Sequence, residues 1–517
     1  MSRESSTLGR AALIVSVGVL LSRVLGLVRE QVIAALLGRS VEADLYVAAF
    51  TIPDYLFFLL AGGYLAITLV PILSTHHAAE DRDGLNVSFT AVFRVVAGIS
   101  LALLAVGFAM ARPFVEVVFS QLDPASIERL VPMTRIAIAL QSFFALGALF
   151  AAAQYAERRF VIPALAPLVY NLGIIIGGLM GGAIGDPSPE AFLWGGLAGA
   201  VVGSFGMQWF GAHRLGIRLV RGTPLRHPAV GQYLKMAVPL MVGQSVVALD
   251  EQWPRLFGQL VDVGTISGLN FARRLNMLPI GVIAQAAGVA SFPFMARLFA
   301  DRRHDEMRRT VGVSLRSGVA VGALATALIA PITLQIVEVV FQYGRFEASD
   351  TTVVAGFLLI FSLSIPFWAA HQVLSRAFYA QRRMWVPVVV GTTTTLVVVP
   401  LLFLLTNAFG GRGIAIGSTL GIALYTIAIA AAWFRADRPA MSQTATHVSK
   451  VGLAAISAAL GSTAALATGI DELPAVPSAL VSVVLGTITF VLVARALGVA
   501  EVQMLIGRIR SRNRRSA

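Results

Sequence analysis

Apolar runs of about 20 residues, each long enough to cross a hydrocarbon core of about 30 Å, recur along almost the whole chain with only short polar breaks. One soluble core cannot hide that much apolar surface. Of 517 residues, 57% are hydrophobic and only 13% charged, with a mean hydropathy of +0.79, so the excess must face lipid. The runs fall at 11–37, 45–74, 88–111, 131–156, 160–184, 190–212, 234–260, 268–296, 311–334, 352–379, 385–406, 412–434, 448–468 and 474–498, which makes fourteen expected spans. The first continues through Arg23 without a small-residue cleavage site, so it reads as a retained helix and not a signal peptide.

The net charge of +13 raises the question of nucleic acid, and the placement of the positive residues answers it. With an even number of spans and the N-terminus inside, 25 basic residues fall on the cytoplasmic side, from Arg3 and Arg10 through the Arg214–Lys235 and Arg297–Arg309 clusters to the tail Arg508–Arg515. The opposite loops hold only Arg39, Arg112, Arg129, Arg345 and Arg412. That asymmetry obeys the positive-inside rule, so the basic balance reports topology and nucleic acid is not an expected partner. With no cysteine, thiolate metal sites and thiol catalysis are excluded. Of seven histidines only His371 falls well inside a span, where a packing or cavity role is the plainer reading.

An internal repeat organises the chain. Tyr155-Ala156-Glu157-Arg158-Arg159 with Pro163 matches Tyr379-Ala380-Gln381-Arg382-Arg383 with Pro387 at an offset of 224 residues, and Pro53 and Pro71 are echoed by Pro279 and Pro293. Both matches sit at corresponding places in two six-helix sets. Because six is even, the sets enter the membrane in the same orientation, as parallel repeats. The expected fold is therefore all-α and polytopic, with two parallel six-helix repeats around a central cavity plus a C-terminal helix pair. The corresponding lobes are 1–230 and 231–440, with the helix pair and basic tail at 441–517.

Breaks and charges inside the spans carry the functional reading. Proline removes a helix hydrogen bond, so Pro53-Asp54, Pro71, Pro254, Pro279 and Pro293 mark a cavity lining, a hinge or inert kinks. An arginine at the bilayer centre costs about 2.5–3.5 kcal/mol and needs a reason. The first span carries Arg23, Arg29 and Glu30, and the eighth carries Arg273 and Arg274. Arg23 and Arg29 lie about 120° apart around a helix and about 9 Å along it, which suits one wide aqueous cavity. Arginines of two repeats converging there suit a diphosphate, whose oxygens take bidentate guanidinium contacts. The alternative is snorkelling to an interface, or pairing with Glu30 or Asp44. In the seventh span, Asp250 and Glu251 before Pro254 suit a coupling cation or proton; Glu251 and Arg255, spaced i, i+4, equally suit mutual neutralisation.

These motifs together resemble the MurJ/MviN family of lipid II flippases within the multidrug/oligosaccharidyl-lipid/polysaccharide exporter superfamily. The resemblance is carried by Ser22-Arg23-Val24-Leu25-Gly26 with Arg29, Ala43-Asp44, Ile52-Pro53, Val70-Pro71-Ile72, and Arg159-Phe160 with Pro163–Pro167 and Asn171. It continues through Phe271-Ala272-Arg273-Arg274-Leu275, Leu278-Pro279-Ile280-Gly281, Phe341–Phe346 with Asp350, and Arg376–Ala380.

The resemblance implies a transporter and not an enzyme, in the bacterial cytoplasmic (inner) membrane with both termini cytoplasmic. The implied substrate is an undecaprenyl diphosphate-linked peptidoglycan precursor, and the implied partners are membrane lipids and cell-wall synthesis proteins. Family positions required for flipping map onto Arg23, Arg29, Asp44 and Arg274, and the final helix pair onto a groove for the lipid tail. No cofactor is implied beyond coupling to a monovalent cation or to the membrane potential. The sequence departs from the family where Phe57-Phe58 and Gly62-Gly63 replace basic residues and an acidic-glycine pair, where Arg383-Met384 replaces Asp-Thr, and where Arg273 replaces an aspartate. Arg273 offers compensation for the lost positive charge. These departures leave open a flippase for another polyprenyl-linked saccharide, such as a teichoic acid, capsule or exopolysaccharide precursor, and a non-transporting cell-wall scaffold.

Overall fold

The computed structural model describes residues 2–61, 64–185, 187–284, 291–435, 438–468 and 473–499, and all regular structure among them is helical. Packing divides the chain into two compact units, Met1–Ser267 with Tyr343–Phe346, and Gly268–Gln342 with Glu347–Ala517.

Unit 1 opens with α1 (Ser2–Leu37), followed by α2 (Val41–Ala49), α3 (Thr51–Ala61) and α4 (Tyr64–Ala78). Then come α5 (Arg82–Val118), α6 (Pro124–Ala156), α7 (Val161–Ala183) and α8 (Pro189–Gly199), which passes through a π-helical stretch into α9 (Gln208–Arg214), and finally α10 (Pro228–Gly258). Short polar side chains start these helices by accepting otherwise orphaned N–H groups: Asp81 caps α5 through Gly84, and Asp123 caps α6 through Ser126 with Pro124 in the first turn. A core of Leu69, Leu73, Phe89, Leu149 and Phe150 joins α4, α5 and α6. The expected second lobe begins at residue 231; α10 packs against α3, α4 and α5, and its Tyr233 and Ala237 sit in their core.

The α7–α8 pair shows why glycine is used in a membrane interface. Gly173 and Gly177 face Gly195 and Gly199 so closely that a Cβ on Gly177 meets the Gly195 Cα at 2.8 Å, and one on Gly195 meets the Gly177 Cα at 2.8 Å. Backbone-to-backbone contact of this kind replaces the hydrophobic drive that lipid removes.

Unit 2 contains all but the first turn of α11 (Thr265–Ala284), then α12 (Phe292–Ala300), α13 (His304–Ile329), α14 (Thr333–Phe341), α15 (Ala348–Ser362), α16 (Ile365–Ala380), α17 (Trp385–Phe434), α18 (Arg438–Leu466) and α19 (Ala475–Ala496). α17 is two helices in effect, because Gly410 leaves helical geometry at φ 57°, ψ −136°. α15 and α16 bend by 41° where they meet. The carbonyls at this break find hydroxyl donors, Thr326 to Ser362 at 2.7 Å and Thr419 to Ile360 at 3.1 Å, as lipid requires. α18 and α19 pack on each other and on α13 through Ala320, Ala323, Ala454, Ala458 and Ala494.

Among the described residues eight helices are long and apolar enough to cross a membrane, nine with the bent α15–α16 pair as one span. The count of fourteen is therefore not reproduced by length and composition. Some expected spans are broken helices, as α2–α3 are at Phe50 and α15–α16 are at their bend, and α17 joins two of them. The outward faces are apolar, with Leu101, Leu396 and Leu492 all exposed, as a lipid contact demands. The prolines divide into two kinds. Pro53 and Pro293 stand in the first turn of α3 and α12, where a missing N–H is harmless, whereas Pro71, Pro254 and Pro279 sit inside continuous helices. The matched motifs close alike: Arg158 and Arg382 are both left-handed (φ 57° and 60°), with Arg159 N–H donating to Gln154 O at 2.8 Å and Arg383 N–H to Phe378 O at 2.9 Å. Left-handed geometry at a non-glycine costs about 1–2 kcal/mol, so a shared turn at two such positions reflects a shared local design.

Candidate functional site

Arg29 is already committed. Its guanidinium donates to Glu30 Oε1 at 2.5 Å and to Asn171 Oδ1 on α7 at 3.0 Å, while Nε is buried without a hydrogen-bond partner. This gives Asn171 a role, receiving the arginine of α1 at the α1–α7 contact. Of the five guanidinium N–H donors, these bonds use two. Arg23, two turns earlier on α1, is half-buried and makes no hydrogen bond or ion pair among the described residues. A half-buried guanidinium in a span, free of any protein counter-ion, is the arrangement that an anionic ligand completes.

Asp44 is differently placed. It is buried, and its two carboxylate oxygens accept the backbone N–H groups of Gly264 and Ser267, each at 2.7 Å, at the N-terminus of α11. Nearby, Arg39 donates to Val263 O at 3.1 Å. Gly264 is left-handed (φ 81°), and a Cβ there would meet the Arg39 carbonyl oxygen at 2.8 Å, so the loop closes only with glycine. A carboxylate at a helix N-terminus satisfies orphan donors and complements the helix dipole. Asp44→Ala is expected to lower stability by about 1–3 kcal/mol in a thermal melt, with Asp44→Asn retaining part of the effect; unchanged melting of the alanine variant refutes this stapling role.

In unit 2, Arg273 is half-buried and Arg274 exposed on α11. The side chains of Asp250 and Glu251, Gly62-Gly63 and the tail Arg508–Arg515 lie outside the described residues. His371 is buried, with the Tyr425 ring 4.5 Å away and the Ser375 hydroxyl at 3.4 Å.

Sequence reasoning missed one constellation. Asp54, in the first turn of α3, accepts from Arg255 of α10 at 2.9 Å and from Gln141 of α6 at 2.7 Å, and Arg255 also donates to Gln252 at 3.1 Å. Among the described residues, Arg255 pairs with Asp54. Its signal was present in Pro53-Asp54 and Pro254-Arg255, an acid and a base each following a proline inside an apolar run. Phe57, where the family resemblance leads one to expect a basic residue, packs on the core and edge-on to Phe144.

Two further polar clusters lie in the turns. Arg129 holds Glu42 through two bonds of 2.6 and 2.7 Å and Glu190 at 3.1 Å, and all three line a cavity of about 600 Å³ together with Arg345. Ser88, His76 and Asp81 are linked at 3.0 and 2.9 Å in the order of a hydrolytic triad. Ser88, however, is 1% exposed within the apolar core, and Asp81 is occupied in capping α5. The Gly84 N–H and His76 hold the Asp81 carboxyl below the usual range. This is a staple of the α4–α5 turn, closed to substrate.

Comparison with known proteins identifies the architecture. The family model described as lipid II flippase MurJ matches residues 33–488. A lipid II flippase MurJ of Burkholderia cenocepacia is 27% identical over 424 residues, 81% of this chain and 82% of that protein. A probable lipid II flippase MurJ of Synechocystis is 25% identical over 447 residues, 83% and 81% of the two chains. Among solved structures, a lipid II flippase MurJ in an inward closed conformation superposes with a TM-score of 0.76 at 19% identity, covering 93% of this chain and 98% of that one. An inward-facing multidrug transporter of the MATE family follows the same fold at a TM-score of 0.67 and 16% identity, with 84% and 99% covered. With its helical membrane fold and its arginines within the first span, and with the family's pattern matched over most of its length, the chain belongs to the MurJ family of lipid II flippases.

Proposed function

We propose that this chain carries lipid II, the undecaprenyl diphosphate-linked peptidoglycan precursor, from the cytoplasmic to the outer leaflet of the bacterial cytoplasmic membrane by alternating access. Family membership supports the substrate, and the observation that carries the mechanism is Arg23, a half-buried guanidinium with no protein counter-ion among the described residues. In this reading the diphosphate takes Arg23 and the N–H groups of Arg29 that Glu30 and Asn171 leave unused, while the lipid tail stays in the bilayer. Arg273 and Arg274, on α11 in unit 2, are further candidate residues for the substrate.

The chain's own residues bind and release; they make and break no covalent bond. Direction comes from the membrane potential, because an interior-negative field favours outward movement of an anion by up to about 2.3 kcal/mol per charge per 100 mV. Asp250 and Glu251 on α10 are the candidate residues for an added monovalent cation. Both termini are cytoplasmic in this orientation, a placement that the distribution of basic residues supports.

The test is replacement of the flippase in a strain depleted of its own, with the lipid-linked intermediates identified by mass spectrometry. The wild-type chain is expected to restore growth and clear accumulated lipid II, and Arg23→Ala to be inserted normally yet fail to do so. Rescue by the alanine variant rejects the assignment of Arg23. Accumulation of a different lipid-linked saccharide, with lipid II unaffected, rejects the substrate.

A further inference from the structure

The segment between α9 and α10 is built as a strap along α5. Asn86, Thr90 and Arg94 are spaced four residues apart on one face of α5 and hold it in register. Asn86 Oδ1 accepts Arg218 N–H at 2.9 Å, Asn86 Nδ2 donates to Gly216 O at 3.3 Å, Thr90 Oγ1 accepts Val220 N–H at 3.0 Å, and Arg94 donates to Thr223 O. Ile217 and Thr223 turn inward and are buried. Arg218, Leu219, Val220, Arg221, Leu225 and Arg226 point outward and are exposed.

The strap's depth and charge are both informative. From Asn86 to Arg94 it descends about 12 Å along α5, at about 1.5 Å per residue, and the apolar span of α5 begins near residue 88. It therefore lies where water gives way to acyl chains. From Trp209 to Met236 there is no acidic residue, against Arg214, Arg218, Arg221, Arg226 and Lys235. Trp209 and Phe210 are exposed on α9, immediately before it in sequence, and the Arg214 guanidinium lies 4.4 Å over the Phe210 ring. Interfacial aromatic rings, exposed leucines and uncompensated arginines at one level match the layered chemistry of a lipid headgroup region.

We propose that the strap from Arg214 to Arg226 is a binding surface for anionic phospholipid headgroups of the cytoplasmic leaflet. The arginines take the phosphodiester oxygens while Leu219, Val220 and Leu225 rest against the glycerol and upper acyl region. Fixing the backbone to α5 presents these side chains without the ordering entropy of a mobile loop. The site is separate from the transport substrate and sets a lipid requirement for the protein.

The experiment uses the full chain in detergent micelles, titrated with dibrominated phosphatidylglycerol or dibrominated phosphatidylcholine. Quenching of Trp209 is read as the difference between the wild type and Trp209→Phe. Saturable, salt-sensitive quenching by phosphatidylglycerol is expected at much lower mole fraction than by phosphatidylcholine. The combined Arg218→Gln, Arg221→Gln, Arg226→Gln variant is expected to bind phosphatidylglycerol about 100-fold more weakly, each arginine near an anionic surface contributing roughly fivefold. The corresponding triple lysine variant keeps the charge and is expected to bind within a few-fold of wild type, which separates lost attraction from lost folding. Equal quenching by the two lipids, or an undiminished response in the glutamine variant, overturns the proposal.

Discussion

Arg255→Ala is expected to destabilise unit 1 by about 3–5 kcal/mol, because it leaves the Asp54 carboxylate without its counter-ion inside a membrane span. The Arg255 side chain is 10% exposed and that of Asp54 23%, so water cannot substitute freely for the lost partner. Gln141 still donates to Asp54, but an amide does not neutralise a charge. Removing both charges together is a different matter. Asp54→Leu with Arg255→Met exchanges a costly desolvated pair for apolar packing and is expected to melt close to wild type or above it. Thermal unfolding of the purified single and double variants in detergent decides between them. If the single variant melts as wild type does, the pair is not an energetic link between α3 and α10.

Gly195→Leu is expected to cost about 3 kcal/mol or more, a drop of roughly 5–10 °C in melting temperature. The new Cβ falls 2.8 Å from the Gly177 Cα and 3.0 Å from its nitrogen, and backbone atoms cannot give way as a flexible side chain can. The helices must separate, losing the close approach that holds α7 to α8 in lipid. Gly98→Leu is the matched control, since a Cβ on that exposed residue of α5 meets nothing within 4 Å; it is expected to be nearly neutral. Equal melting of the two leucine variants contradicts a packing role for the glycine pair. The spacing Gly173-x-x-x-Gly177 and Gly195-x-x-x-Gly199 is legible in the sequence, but many such spacings are not contacts. Only the structure pairs these two.

Legibility followed the physical range of each interaction. Apolar runs and the inside bias of arginines are properties of the chain against its solvent, so composition and order alone pointed to a helical membrane protein and gave an expected orientation. The turn at Arg158 and Arg382 is likewise local, and the repeat visible at an offset of 224 residues closes with the same hydrogen bonds. Asp44 shows where this stops. Its partners Gly264 and Ser267 are 220 and 223 residues away, and nothing in the local sequence distinguishes a ligand-binding acid from a helix cap.

The charges inside the spans make the same division. That Arg23, Arg29, Asp54 and Arg255 require compensation follows from their place in apolar runs, because a buried charge is costly wherever the chain goes. Which partner supplies it depends on which helices meet. α10 lies against α3, so Arg255 takes Asp54; α7 lies against α1, so Arg29 takes Asn171, while Arg23 makes no hydrogen bond or ion pair among the described residues. Solvent preference is written residue by residue, whereas the pairing of distant charges is decided only when helices pack.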